Sequence, residues 1–118
     1  MKSALVTADI IRLQDILDAI DDLRSYRADD LTVKRNMHAA AFCFTIIGEA
    51  SRQVSAAFKK DHPELPWRDM ADTRNRIVHE YDGVDPKKMM QIIDDDLPHL
   101  HKLIHRTLDI YMQKLPKP

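Results

Sequence analysis

From Val6 to Leu23 the apolar residues return at helical spacing. Val6, Ile10, Leu13, Leu17 and Ile20 follow one another at steps of three or four, and Ile16 and Leu23 broaden the stripe. Arg12, Asp15, Asp18, Asp22 and Arg24 fall mainly on the opposite face, so this segment has to bury one side against a neighbour. Ser3 or Thr7 is available to cap its start, and the polar stretch from Arg27 to Asp30 closes it. A second helix is expected from Asp30–Thr32 to about Lys60. Its centre, Ala39 to Ile47, is apolar on every side, as in the central helix of a bundle, and Gly48 would let another helix come close. The two prolines of His62-Pro63-Glu64-Leu65-Pro66 break the pattern. A third helix is expected over Trp67–Tyr81, stopped at Asp82-Gly83 with Gly83 as a left-handed cap. The last begins at Asp85-Pro86, with proline in its first turn, and Pro98 should kink or divide it ahead of a stripe of Leu100, Leu103, Ile104, Leu108 and Tyr111. The tail from Lys114 to Pro118 is expected to fray. With only two glycines, one Trp, three Tyr and three Phe, the chain is short of the turn and strand formers that a β fold requires. The expected fold is all-α: an up-and-down bundle of four helices, or five if Pro98 splits the last, with residues 1–118 as a single domain.

Eighteen Lys+Arg balance nineteen Asp+Glu, which excludes a uniformly basic nucleic-acid clamp and leaves room for a local basic patch. Lys59, Lys60, Arg52, Arg68 and Arg76 are candidates for such a rim, with ordinary solubilising charge as the equal alternative. The lone Cys43 lies in an apolar run and reads as a small buried hydrophobe. That run falls well short of the roughly 20 residues needed to cross a bilayer. Met1 to Leu5 leads straight into the amphipathic pattern with no signal-peptide core, so no membrane role and a cytoplasmic location are expected. His101 and His105 have an i, i+4 spacing that suits zinc, and Asp94-Asp95-Asp96 precede them. Without a third ligand on the same face both read as charged helix surface, and neither a metal nor another cofactor is expected. Glu49, in an apolar neighbourhood, reads as a buried carboxylate bonded to another helix, or as a group supporting a site. Trp67 and the methionines read as core or interface in preference to a base-stacking platform.

The densest polar cluster at the end of an element is Thr73-Arg74-Asn75-Arg76-Ile77-Val78-His79-Glu80-Tyr81. On a helix turning about 100° per residue, Arg74 and Tyr81 lie about 20° apart, Asn75 and His79 about 40°, and Arg74 and His79 about 140°. Arg74 and His79 would therefore diverge unless the helix unwinds before Gly83, the arginine's length closes the gap, or a symmetric dimer brings two copies together. A histidine in a last helical turn is favoured as imidazolium by the helix dipole. Beside a fixed guanidinium it makes a pairing suited to phosphate chemistry. Spacing alone fits an ordinary polar helix terminus at least as well.

The order of several segments narrows the choice. Arg74-x4-His79-x-Tyr81 resembles the R-x4-H-x-Y signature of the HepT-like branch of HEPN domains, the RNase toxins of HepT/MntA toxin–antitoxin pairs. Ile46-Ile47-Gly48-Glu49-Ala50, the run from His62 to Arg68, Arg74-Asn75, Val78-His79-Glu80-Tyr81, Gly83-Val84-Asp85 and Asp96-Leu97-Pro98 resemble family segments in the same order, and the similarity spans about residues 8 to 110. Two departures lie beside the signature: Asp82, where many relatives carry an aromatic residue, and Met89-Met90, where Val-Trp is common.

The resemblance implies a HEPN-type bundle that works as a homodimer, with two such segments facing each other across a cleft, and a metal-independent endoribonuclease activity. His79 would act as general base or acid for attack by the ribose 2′-OH. Arg74 would hold the scissile phosphate, and Asn75 would orient the phosphate or the imidazole in support. Tyr81 would be the acceptor of AMP groups from a MntA-type nucleotidyltransferase antitoxin, whose added charge and bulk would block RNA. The alternatives are a non-catalytic substrate- or nucleotide-binding regulatory subunit of a nucleotidyltransferase, and a helical scaffold with no nucleotide role.

Overall fold

The computed structural model describes residues 2–79 and 83–114, with side chains for 7–78 and 83–113. Tyr81, Asp82 and the tail 115–118, for which the sequence carries expectations, lie outside the described residues, as does the imidazole of His79. The architecture is all-α with one minimal hairpin. In order come α1 (Lys2–Tyr26), α2 (Lys34–Gln53), α3 (Ala56–Asp61), α4 (Trp67–Ala71), α5 (Thr73–Arg76), strands β1 (Val78–His79) and β2 (Gly83–Val84), α6 (Pro86–Gln91), a π-helical turn (Ile92–Asp96) and α7 (Leu97–Lys114). The first helix packs along α2 and against α7, while α4 and α5 also pack on α2.

The stripe predicted for α1 forms its buried face: Ile10, Leu13, Ile16, Ile20 and Leu23 are all in the core. Ser3 and Thr7 fall inside this helix rather than at its cap. At the link to α2, the Asp30 carboxylate accepts bonds from both the backbone N–H and the hydroxyl of Thr32, a local turn that competes with helix.

The second helix departs from expectation twice. It stops at Gln53 instead of running to Lys60, and the cause is tertiary. Asp9, only 3% exposed on α1, takes the Ser55 backbone N–H at 2.8 Å and its hydroxyl at 2.7 Å. The Ser55 N–H that would have continued the ladder is thereby diverted, and Ser55 instead caps α3 by accepting from the Phe58 N–H. Removing this carboxylate in Asp9→Ala strands polar groups at a partly buried turn and is expected to cost about 1–3 kcal/mol. Urea unfolding measures that loss directly.

The centre of α2 is also not buried all round. Ala40, Cys43, Phe44 and Ile47 point inward, whereas Phe42 is 66% exposed. Cys43 is buried as expected, and desolvation, followed by the nearby Asp22 charge, pushes its thiol up to about 11. Gly48 is buried, and a Cβ there would lie 3.3 Å from the Ala71 carbonyl oxygen, so the close approach expected at this glycine is made by the C-terminal end of α4.

The His62–Trp67 segment is a structural knot. His62 bonds Glu64 at 3.0 Å and the Tyr111 hydroxyl at 2.9 Å, and the Trp67 indole donates to the His62 carbonyl. Leu65 is buried beneath it. Burial is the main cause raising the Tyr111 phenol above its usual range, with the charges of Asp61, Asp9 and Glu64 adding to it.

The last helical segment is divided just ahead of Pro98 into α6, the π turn and α7, in which Pro98 is the second residue. Asp85 caps α6 with Pro86 in the first turn, and the chain then widens into the π turn. The Leu97 N–H reaches back five residues to the Ile92 carbonyl just before the imino acid. The wider turn accommodates a residue that has no N–H to give and whose ring crowds the preceding turn.

Candidate functional site

The expected helix over Trp67–Tyr81 breaks into three pieces, and the breaks shape the site. The Ala71 carbonyl, which a continuous helix would give to the Asn75 N–H, is instead taken by the Arg52 guanidinium at 2.5 Å. Thr73 turns its hydroxyl onto the Asp69 and Met70 carbonyls, and Asp72 leaves helical geometry at φ −95°, ψ 4°. A single turn, α5, then carries Arg74 and Asn75. Beyond buried Ile77 the backbone is extended: Val78 pairs with Val84, and His79 with Gly83. Gly83 sits at φ 77°, a left-handed conformation suited to glycine, so it serves the hairpin and not a helix cap. The Asp85 N–H closes the loop on the Ile77 carbonyl at 2.7 Å.

The helical angles computed for this signature therefore do not apply beyond Arg76. Arg74 and Asn75 stand on a helical turn, and His79 on the strand that follows. No helix terminus at His79 supplies a dipole to favour imidazolium. Asn75 is exposed, and its amide nitrogen donates to the Asp72 carboxylate at 2.7 Å. Sequence reasoning did not single out Asp72 as the group that orients Asn75; the Asp-x-x-Asn spacing at one helical turn was the signal for it.

The two arginines of α5 have opposite environments. Arg76 is locked to Asp96 of the π turn at 2.6 Å. Arg74 is exposed, with no carboxylate partner among the described residues. This separates a structural guanidinium from an available one, which residue type and spacing alone could not do.

Other candidates resolve as follows. Glu49 is not buried: it is exposed on α2 and pairs with Arg52 at 2.9 Å. Of the basic rim, Arg52, Lys59 and Arg68 gather around one groove, whereas Lys60 does not line it and Arg76 faces Asp96 in a separate cavity of about 400 Å³. The acidic run is split between partners, Asp94 on Arg27 at 3.0 Å and Asp96 on Arg76. His101 and His105 stack on each other and face Asp21 and Asp109 respectively. Among the described residues no cluster of three or more His, Cys, Asp or Glu could hold a metal ion, and no described helix is long and apolar enough to cross a membrane. Trp67 and Met90 pack against the core, and Met70 and Met89 are within it.

The family described as "Ribonuclease HepT-like" matches residues 16–107, which includes α5 and the hairpin. A Thermococcus cleftensis protein named "Probable ribonuclease HepT" is 37% identical over 93 residues, covering 75% of this chain and 84% of its own. "Putative RNase MJ1380" of Methanocaldococcus jannaschii is 32% identical over 95 residues, covering 76% of this chain and 87% of its own. A second protein of that organism, "Putative RNase MJ0125", is 26% identical over 101 residues, covering 81% and 87%. No solved structure gives a significant match. The order of segments along the chain, a match that spans α5 and the hairpin, and relatives aligned over most of both lengths all lead to one assignment: the chain belongs to the ribonuclease HepT-like family.

Proposed function

We propose that this protein is a metal-independent endoribonuclease, a toxin acting in the cytoplasm as a homodimer, with residues 1–118 forming one catalytic domain. The observation that carries the reading is the exposed Arg74 guanidinium, without a carboxylate partner among the described residues and five residues before His79, in a member of a family described as ribonuclease HepT-like. A guanidinium already bound to a carboxylate, like that of Arg76, would have to give up its partner before it could hold a phosphate. Among the described residues no carboxylate would have to be displaced from Arg74.

In this mechanism the ribose 2′-oxygen attacks the adjacent phosphorus. A bond from phosphorus to the 2′-oxygen forms as the bond to the 5′-oxygen breaks. The hydroxyl proton passes to a base and the departing 5′-oxygen takes one from an acid, roles assigned to His79. Arg74 stabilises the extra negative charge on the phosphoryl oxygens. Asn75, steadied by Asp72, helps orient the phosphate. Arg74 and His79 of two copies meet across a two-fold axis. Tyr81 is the acceptor for AMP from a MntA-type nucleotidyltransferase antitoxin, and the added phosphate repels RNA and competes for Arg74.

The test is RNA-end analysis. The unmodified protein is expected to cleave RNA in EDTA, leaving a 2′,3′-cyclic phosphate (or 3′-phosphate) and a 5′-hydroxyl. Incubation with the antitoxin and ATP is expected to add AMP mass and abolish cleavage. Absence of cleavage by protein shown by intact mass to lack AMP would support a nucleotide-binding regulatory subunit instead.

A further inference from the structure

Arg52 from α2, Lys59 from α3 and Arg68 from α4 line one open groove of about 600 Å³, together with Trp67, Ala71 and Asp72. Three cations from three elements converge there in a chain whose overall formal charge is −1. The one acidic lining residue, Asp72, already accepts the Asn75 amide. Arg52 is fixed by the Ala71 carbonyl and by Glu49 at the rim, whereas Arg68 is exposed and has no ion partner among the described residues. Lys59 lies 5.9 Å from the centre of the half-buried Trp67 ring. Asp72 is also the residue from which α5 starts, so the groove runs into the turn that presents Arg74.

We propose that this groove is a binding site for the backbone of single-stranded RNA, extending the substrate contact beyond the scissile phosphate. The inference rests on the endoribonuclease reading for the identity of the polymer. A cationic channel beside an aromatic ring is the combination that single strands use, with phosphates tracking the charges and a base stacking on the ring. Each phosphate neutralised on a single strand releases counterion and steepens the salt dependence of binding by about 0.7 in the log–log slope.

Trp67 is the chain's single tryptophan and lies in the groove, so its emission reports occupancy at this place. The experiment titrates a twelve-residue oligouridylate into full-length protein carrying His79→Ala, which keeps the strand intact, and follows Trp67 emission across a salt series. Emission is expected to change on binding. Lys59→Gln/Arg68→Gln is expected to lower the salt slope by about 1.4, twice the single-phosphate value. This double variant leaves the Arg52–Ala71 contact in place, and circular dichroism checks its fold. Adding Arg52→Gln should lower the slope by about 0.7 more.

An unchanged slope in the folded double variant, or binding without a change in Trp67 emission, overturns the proposal. So does an emission change with a polyglutamate peptide but none with oligouridylate, which would make the groove a seat for an acidic protein. The two readings fail separately. Groove-dependent binding by a protein that cleaves no RNA would remove the nuclease and leave the groove, whereas cleavage with equal slopes would do the reverse.

Discussion

His79→Ala is expected to lower the rate constant for RNA cleavage by about two to four orders of magnitude, the usual contribution of a positioned acid or base. Arg74→Ala is expected to lower it by about two to three orders, the cost of losing one preorganised charge on a developing oxyanion. Single-turnover cleavage of a labelled oligoribonucleotide at saturating protein measures both. The two residues act on one transition state, so the double variant should fall much less than the product of the single losses. Arg74 is exposed and carries no described ion pair, so its replacement should shift the unfolding free energy by no more than about 0.5 kcal/mol. A cleavage rate preserved in His79→Ala would remove the proposed chemistry, and a lost rate accompanied by lost fold would leave a structural role as its cause.

The second large effect is on stability and concerns two phenylalanines two positions apart. Phe44 is fully buried between α2 and its neighbours, and Phe44→Ala is expected to cost about 3–5 kcal/mol through lost transfer energy and an unfilled cavity. Domains of this size have only about 5–15 kcal/mol in hand, so the urea midpoint should fall steeply while the slope of the transition stays constant. Phe42 is 66% exposed on the outer face of the same helix. Phe42→Ala should change stability by no more than about 0.5 kcal/mol. Equal losses at both positions would mean that α2 is covered on both faces.

That pair also shows where periodicity reading reaches its limit. The stripe of α1 was legible because polar residues mark the opposite face, which fixes a single burial direction. In Ala39–Ile47 no charged residue marks a face and Thr45 alone is polar, so the pattern did not distinguish Phe42 from Phe44; contact with α1, α4 and α5 decided it. Glu49 illustrates the same limit from the polar side. Its sequence neighbours are apolar, but they point away from it around the helix, and its carboxylate lies in solvent beside Arg52.

The breaks in the helices have a related origin. Nothing local in Val54-Ser55 or Ala71-Asp72 forbids helix as a proline would. In each case a side chain far away in the chain takes a backbone group that the helix would have used: Asp9 takes the Ser55 N–H, and Arg52 takes the Ala71 carbonyl. Such competition depends on which helices pack together.

From composition and pattern alone the chain is an all-α bundle with a buried α1 stripe, a close contact at Gly48, a Pro86 helix start and a polar segment around Arg74-x4-His79. These are fixed by covalent geometry, by hydrophobic period and by residue chemistry, which act over a few neighbours at a time. Tertiary packing decided that the segment is a helical turn joined to a hairpin, that Arg76 is bound to Asp96 while Arg74 is exposed, and that three cations share a groove around Trp67. Those outcomes turn on contacts such as Arg52 with Ala71 and Arg76 with Asp96, 19 and 20 positions apart, whose competition with local structure is settled only once the chain has collapsed.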